Sequence, residues 1–295
     1  MDELSLILII RGEDMKAVKT VKEVRNEINP IKNAGKSIGL VPTMGFLHDG
    51  HLSLIKRARE ENDFVMVSIF VNPTQFGENE DYGSYPKDLE RDLQKCKNAG
   101  VDLVFHPTPE DMYKNHKTYI KVEELSEKLC GMSRPIHFRG VTTVCAKLFN
   151  ISKADRAYFG QKDAQQYIIL KKMVEDLNFD IKLIRCPIVR EKSGLALSSR
   201  NKYLSDKEKE DALILQKSLQ KAENMLKNKE NPQDIIKEME KIIAEIDYAK
   251  IDYIKIVDLE NLEDVEKIDR DVLVALAVQV GPARLIDNII YEVKN

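Results

Sequence analysis

Only four cysteines occur among the 295 residues, Cys96, Cys130, Cys145 and Cys186, and no two form a C-x-x-C pair. That scatter argues against a structural zinc site and against the disulfide framework of a secreted domain; a reducing cytoplasm fits it best. Positive charge is not in excess either: 46 Lys and Arg stand against 49 Asp and Glu, a formal charge of −3. No nucleic-acid partner is expected from that balance, so any anion has to be held by a local arrangement. Long apolar runs are also missing. The stretch Leu6 to Ile10 is too short to span a bilayer and lacks the charged flank and cleavage site of an export signal, so neither a membrane anchor nor export is expected. What is present is ordinary for a soluble chain, 43% hydrophobic and 32% charged, enough to build a core.

Apolar spacing at Val18, Val21, Val24 and Ile28 predicts a helical segment opened by Met15. The fourteen preceding residues have no clear partner, and purine-rich codons for Arg11 to Asp14 would resemble a ribosome-binding site. Residues 1–14 are therefore expected to be a mis-set start; an intact mass containing Met1 or Asp2, for protein made from the native locus, would refute this. Strands are predicted at Ile38 to Val41, Phe64 to Val71, Asp102 to Phe105, Arg156 to Phe159 and Ile181 to Arg185. Helices are predicted between them, at Gly50 to Glu61, Lys87 to Asn98, Val141 to Ile151 and Ala164 to Leu177. This alternation implies an α/β fold, a Rossmann-like doubly wound parallel sheet with ligands at the carboxyl ends of its strands. After Pro187 come two charged helices, Asp206 to Lys227 and Pro232 to Ile246, then strand-like runs at Ile251 to Val257, Val272 to Val280 and Arg284 to Val293. The expected division is residues 1–187, binding nucleotide and substrate, and residues 188–295, a smaller α+β lid.

The densest chemical signal is Pro42-Thr-Met-Gly-Phe-Leu-His-Asp-Gly-His51, between a predicted strand and a predicted helix. Gly45 and Gly50 allow close backbone approach to an anion, and the helix start offers unpaired N–H groups and a positive dipole end. His48 and His51 add donors where charge builds up on phosphorus. The plainer reading is a tight turn whose histidines cap the helix. Zinc fits less well, since H-x-x-H supplies two ligands and no partner recurs at metal spacing.

His48-Asp49-Gly50-His51 resembles the HIGH-type signature of the nucleotidyltransferase superfamily. Five ordered blocks, PTMGFLHDGH, SIFVNPTQFGENEDYGSYPKDLERD, HFRGVTTVCAKLFNI, FGQKDAQQ and GLALSSRN, are similar to the pantothenate synthetase (pantoate–β-alanine ligase) family. The resemblance runs from about Met15 to the C-terminus and is densest through Tyr203. It implies ATP contacts from Met44, Gly45, Phe46, Leu47, His48, Asp49, Gly50 and His51, with His51 at the proton-donor position and His48 at the triphosphate. It implies further ATP contacts from Gly160, Gln161, Lys162, Asp163 and Val189, with Lys162 on phosphate oxygens and Asp163 on the ribose. Leu197, Ser198, Ser199 and Arg200 match the counterpart of the KMSKS-type loop, so His48, His51, Lys162 and Arg200 carry the catalytic roles. Gln75 matches a residue binding pantoate and β-alanine, Gln166 the second pantoate-binding amide, and Asn72 a neighbour of β-alanine.

The chain departs from the family at Gln161, where Glu is usual, at Leu197, where many relatives have Met, and at Lys87, where Arg is usual. The last exchanges a bidentate fork for a point charge. Arg134, His137 and Arg139 are candidates for pantoate or dimer-proximal contacts. Asp88 and Asp92 read as a solvated helix face, with an outer-shell magnesium role as the rival. His106 and His116 read as structural or surface residues. The implied reaction consumes ATP with Mg²⁺, forms pantoyl-adenylate and passes the acyl group to β-alanine without a covalent enzyme intermediate; a homodimer is implied as well. Two rivals are a HIGH-type nucleotidyltransferase with a phosphate or amine acceptor, and a non-catalytic nucleotide-binding module. Arginines in place of Gln75 and Gln166 would suit a phosphate acceptor.

Overall fold

The computed structural model describes residues 15–78 and 80–293. The expectation about residues 1–14 lies outside the described residues. Six strands, β1 (Lys16–Val18), β2 (Ile38–Thr43), β3 (Phe64–Ile69), β4 (Leu103–Phe105), β5 (Arg156–Gly160) and β6 (Lys182–Cys186), form one sheet in the order β1-β4-β3-β2-β5-β6. All its pairings are parallel. Helices α1 (Val21–Asn33), α2 (Asp49–Glu61), α3 (Leu89–Asn98), α4 (Pro109–Tyr113), α5 (Cys130–Ser133), α6 (His137–Ser152) and α7 (Ala164–Asp176) complete the unit.

Alternation along the strands explains the layering. Ile38, Leu40, Met66, Ala157 and Phe159 pack with α1, α6 and α7, whereas Val41, Val65, Val67 and Tyr158 pack with α2 and α3. A sheet buried on both faces requires such two-sided apolar strands. Strand order reverses between β2 and β5, which creates a crevice at their carboxyl ends, the usual ligand position in an open α/β sheet.

The rest of the chain forms α8 (Asp206–Asp211), α9 (Leu213–Lys227), α10 (Pro232–Ile243) and the antiparallel strands β7 (Lys250–Asp258), β8 (Val272–Val280) and β9 (Ala283–Tyr291). One face of this three-stranded sheet is covered by α9 and α10. Its other face, through Val257, Leu273 and Ala275, joins Leu125, Leu129, Phe138 and Ile169 of the first unit in one apolar cluster. Among the described residues no helix is long and apolar enough to cross a membrane.

Three local expectations change. Residues 16–18 are not helical: they pair with Leu103 to Phe105 at the sheet edge, and α1 starts only after Thr20, whose capping box with Glu23 sets the boundary. The helix expected from Val141 begins one turn earlier, at His137, and that turn is anchored by the buried Phe138 and Gly140. The helix expected over 206–227 is broken at Ala212, because DKEKED has no apolar face to bury whereas α9 does.

Candidate active site

At the end of β2 the chain reverses through residues in the left-handed region, Gly45 at φ +86° and Phe46 at φ +51°. A phenylalanine adopts that conformation only when its surroundings enforce it. The enforcing group is Asp92 on α3, whose carboxylate accepts the N–H groups of Phe46 and Leu47, both at 2.7 Å. Asp92 is 1% exposed, which corrects its reading as part of a solvated face, and burial raises its pKa against the lowering effect of the two amides. Asp88 caps α3 by accepting the Arg91 N–H at 3.1 Å. Phe46 turns its ring between the Arg91 guanidinium, at 4.7 Å, and the Lys202 ammonium, at 4.8 Å. Leu47 is fully buried, and Asp49 is exposed.

The two histidines close the start of α2. His48 Nδ1 accepts the Gly50 N–H at 3.2 Å, and His51 Nδ1 accepts the His48 N–H at 3.3 Å. A side chain on Gly50 would press against the His48 ring at 2.9 Å, which accounts for the glycine. With both Nδ1 atoms accepting, each neutral ring carries its proton on Nε2 as a free donor. Burial, then Lys162 and Lys95, lower the His48 pKa to about 4; burial, then His48, hold His51 well below the ordinary value. The pair therefore presents neutral donors around neutrality.

The sign of the resulting pH dependence is fixed. The unfolded chain binds more protons than the folded one between 6.5 and about 4, so the stability tied to His48 is complete above 6.5 and is lost as pH falls toward 4. His137, whose pKa burial lowers to about 3, adds to the same trend. The thermal midpoint should hold down to about pH 6.5 and drop on further acidification; a midpoint flat to about pH 4 would show that these rings protonate without cost.

Opposite the turn lie the amides. Asn72 is 1% exposed and fully engaged: its Nδ2 donates to Gln75 Oε1 at 3.0 Å and Gly140 O at 3.1 Å, while its Oδ1 accepts the Tyr113 hydroxyl at 2.7 Å. It orients Gln75, whose Nε2 has, among the described residues, only Met44 Sδ, at 3.2 Å, as a weak partner. The adjacent glutamines divide their tasks. Gln165 is buried against the Cys130 N–H and the Leu125 and Lys128 carbonyls, whereas Gln166 lines the cavity. His137 Nδ1 donates to Gln75 O at 3.0 Å.

Together these groups surround a cavity of about 230 Å³ at the carboxyl ends of β2 and β5. Met44, His48, Gly50, His51, Asn72, Gln75, Gly160, Lys162, Asp163, Gln166, Val189, Leu197, Ser198, Ser199 and Arg200 all line it. Gly45, Phe46, Leu47 and Asp49 do not, and Gln161 turns to the second unit, its carbonyl accepting Asn288 Nδ2 at 2.9 Å. Arg134 and His137 reach the cavity, but Arg139 stacks on Tyr119 at 4.7 Å. His116 stacks edge-on between Tyr113 and Tyr119, and His106 is not among the lining residues.

Several lining groups escaped sequence reading. Ser68 Oγ is buried with no hydrogen-bond partner among the described residues, at the cavity wall. Tyr85 is buried at the same wall. Alternation along β3 was the available signal for Ser68, a polar residue within an apolar run. Lys162 forms no ion pair among the described residues, and Asp163 is the one carboxylate among them that lines this cavity.

The family model for pantoate–β-alanine ligase matches residues 16–290. The pantothenate synthetase of Thermotoga petrophila is 57% identical over 278 residues, covering 94% of this chain and 99% of that protein. The one from Thermosipho africanus is 58% identical, covering 94% of this chain and all of that protein, 100%. Among solved structures, pantothenate synthetase from Thermus thermophilus superposes with a TM-score of 0.89 at 42% identity, covering 93% of this chain and 99% of that one. Pantoate–β-alanine ligase from Francisella tularensis, in complex with β-γ ATP and β-alanine, gives 0.73 at 37% identity, covering 94% and 98%. With the match extending across both structural units, the chain belongs to the pantoate–β-alanine ligase family.

Proposed function

We propose that the cavity carries out the family's reaction, the ATP-dependent condensation of pantoate with β-alanine to pantothenate, in two in-line steps. The pantoate carboxylate attacks the α-phosphorus and expels pyrophosphate; the β-alanine amine then attacks the pantoyl-adenylate and releases AMP. The observation that carries this reading is the pairing of two neutral amides, Gln75 and Gln166, with the histidine turn around one cavity. Such amides donate to a carboxylate without neutralising its nucleophilicity, whereas a phosphate acceptor would call for cations. The Francisella complex supports ATP and β-alanine as ligands of this chain.

In this mechanism the Nε2–H groups of His48 and His51 and the Lys162 ammonium meet the triphosphate, and His51 faces the charge that develops at phosphorus. Ser198, Ser199 and Arg200 hold the β- and γ-phosphates, and Asp163 takes the ribose. Gln75, fixed by Asn72, and Gln166 orient pantoate. Catalysis is positioning and charge stabilisation throughout. Magnesium, brought on the nucleotide, would supply neutralisation of phosphate charge. A single lining carboxylate suits a cation held mainly by phosphate oxygens and water, and no group of three or more ligating side chains lies together among the described residues. We place the boundary between the units near residue 187, with the second unit as the lid, and assign the chain to the cytoplasm as a homodimer.

The test is pyrophosphate release from Mg-ATP with and without each co-substrate, with pantothenate and AMP detected by mass. Release that depends on pantoate, with pantothenate formed only when β-alanine is added, is the expected result. ATP binding with no release under any combination would leave only a nucleotide-binding module.

A further inference from the structure

The segment after Gln75 presents two consecutive acids to two cavity arginines. Glu80 Oε1 accepts Arg134 Nε at 2.9 Å, and Arg134 Nη2 reaches Glu80 Oε2. Asp81 takes Arg200 in a two-pronged pair, Nε to Oδ2 at 3.0 Å and Nη2 to Oδ1 at 2.8 Å. The Tyr203 hydroxyl also donates to Ser84 O at 3.1 Å, so this segment is fastened to the Ser199–Tyr203 turn at both ends of a short seam. The cations of the cavity are thus in different states. Lys162 forms no ion pair among the described residues, while Arg200 has one full donor edge committed to a carboxylate.

A carboxylate and a phosphate use the same fork of a guanidinium, with two parallel N–H donors. A triphosphate that reaches Arg200 therefore competes with Asp81 for that edge, and an Asp81 left in place would face it with like charge. We propose that Asp81 is a resident counter-anion of Arg200, displaced when the triphosphate binds and restored when pyrophosphate leaves. The inference rests on the reading of Arg200 as a phosphate ligand. Asp81 then sets the affinity of the β,γ-phosphate end alone. Pyrophosphate is bound more weakly than its contacts allow and departs sooner, and AMP, which lacks those phosphates, is indifferent to the exchange. Asp81 acts through Arg200 and is a positioning residue.

Titration calorimetry of the full chain with Mg-pyrophosphate, and separately with AMP, tests the exchange. Asp81→Asn should tighten pyrophosphate by about threefold, the scale of a partly exposed ion pair, and leave AMP unchanged. Product inhibition by pyrophosphate should deepen in step. Asp81→Ser should do the same, with thermal unfolding of both variants confirming the fold. Pyrophosphate affinity that is unchanged or weaker in both folded variants would overturn the proposal and leave Asp81 as an orienting partner of Arg200. The underlying reading fails separately: Arg200→Ala that binds pyrophosphate like the parent would remove Arg200 from the phosphates. In an Arg200→Ala background the effect of Asp81→Asn should vanish, and its persistence would also overturn the exchange.

Discussion

His51→Ala should fold and lose at least about tenfold in pantoate-dependent pyrophosphate release, equivalent to about 1.4 kcal/mol of barrier. Two contributions have to be separated. His51 Nδ1 accepts the His48 N–H, so its loss leaves one donor at the start of α2 without a partner. Loss of a helix cap costs about 0.5–2 kcal/mol of stability, which lowers the thermal midpoint but leaves a folded enzyme. The catalytic contribution is the Nε2–H donor, and removing one well-placed donor to a developing anion costs as much as about 2.7–4 kcal/mol elsewhere. Because the ring is neutral around neutrality, the loss should not be a loss of positive charge. Rates measured under conditions where the variant remains folded isolate this second contribution. Turnover equal to the parent's, with only the midpoint lowered, would reduce His51 to a cap.

The features legible in the sequence are those whose causes are local. Glycine and histidine spacing between an apolar run and a helix start is enough to place the turn from Met44 to His51, and β-α alternation is enough for the parallel sheet. The histidines meet the plainer expectation as well, since both cap α2 while lining the cavity. The features that escaped depend on partners far along the chain. Asp92 sits in a charged helix and reads as solvated; it is buried because a turn 45 residues away has two N–H groups to satisfy. Asp81 and Arg200 are separated by 119 residues, and nothing in either neighbourhood announces the other. Lys16 to Val18 have helical spacing with the following valines, yet the open edge of β4 supplies backbone partners that the spacing cannot reveal. Gln165 and Gln166 are equivalent as letters, and only the helical rotation between them sends one into the core and the other into the cavity.

Gly140→Ala should be more damaging than its size suggests. A Cβ at this position would lie 2.4 Å from Thr74 O and 2.5 Å from both Gln75 N and Thr74 C. All three are backbone atoms, so no side chain can swing aside. Either α6 or the turn Pro73–Gln75 has to move, and overpacking of this kind costs typically about 1–3 kcal/mol. The turn is the weaker body, a single 3₁₀ turn against a sixteen-residue helix packed into the core. Its displacement carries Gln75 with it and strains the Asn72 to Gly140 bond and the His137 to Gln75 bond that fix the turn to α6. A shift of about 1 Å in a substrate-positioning group can cost about 100-fold. Pantoate-dependent pyrophosphate release should therefore fall by about that factor, with a lower thermal midpoint. ATP binding should change little, because the histidine turn and Gly160 to Asp163 leave β2 and β5 independently of this contact. A variant that melts lower but handles pantoate like the parent would place the strain in α6; a variant that loses ATP and pantoate together would show that the two halves of the cavity do not move independently.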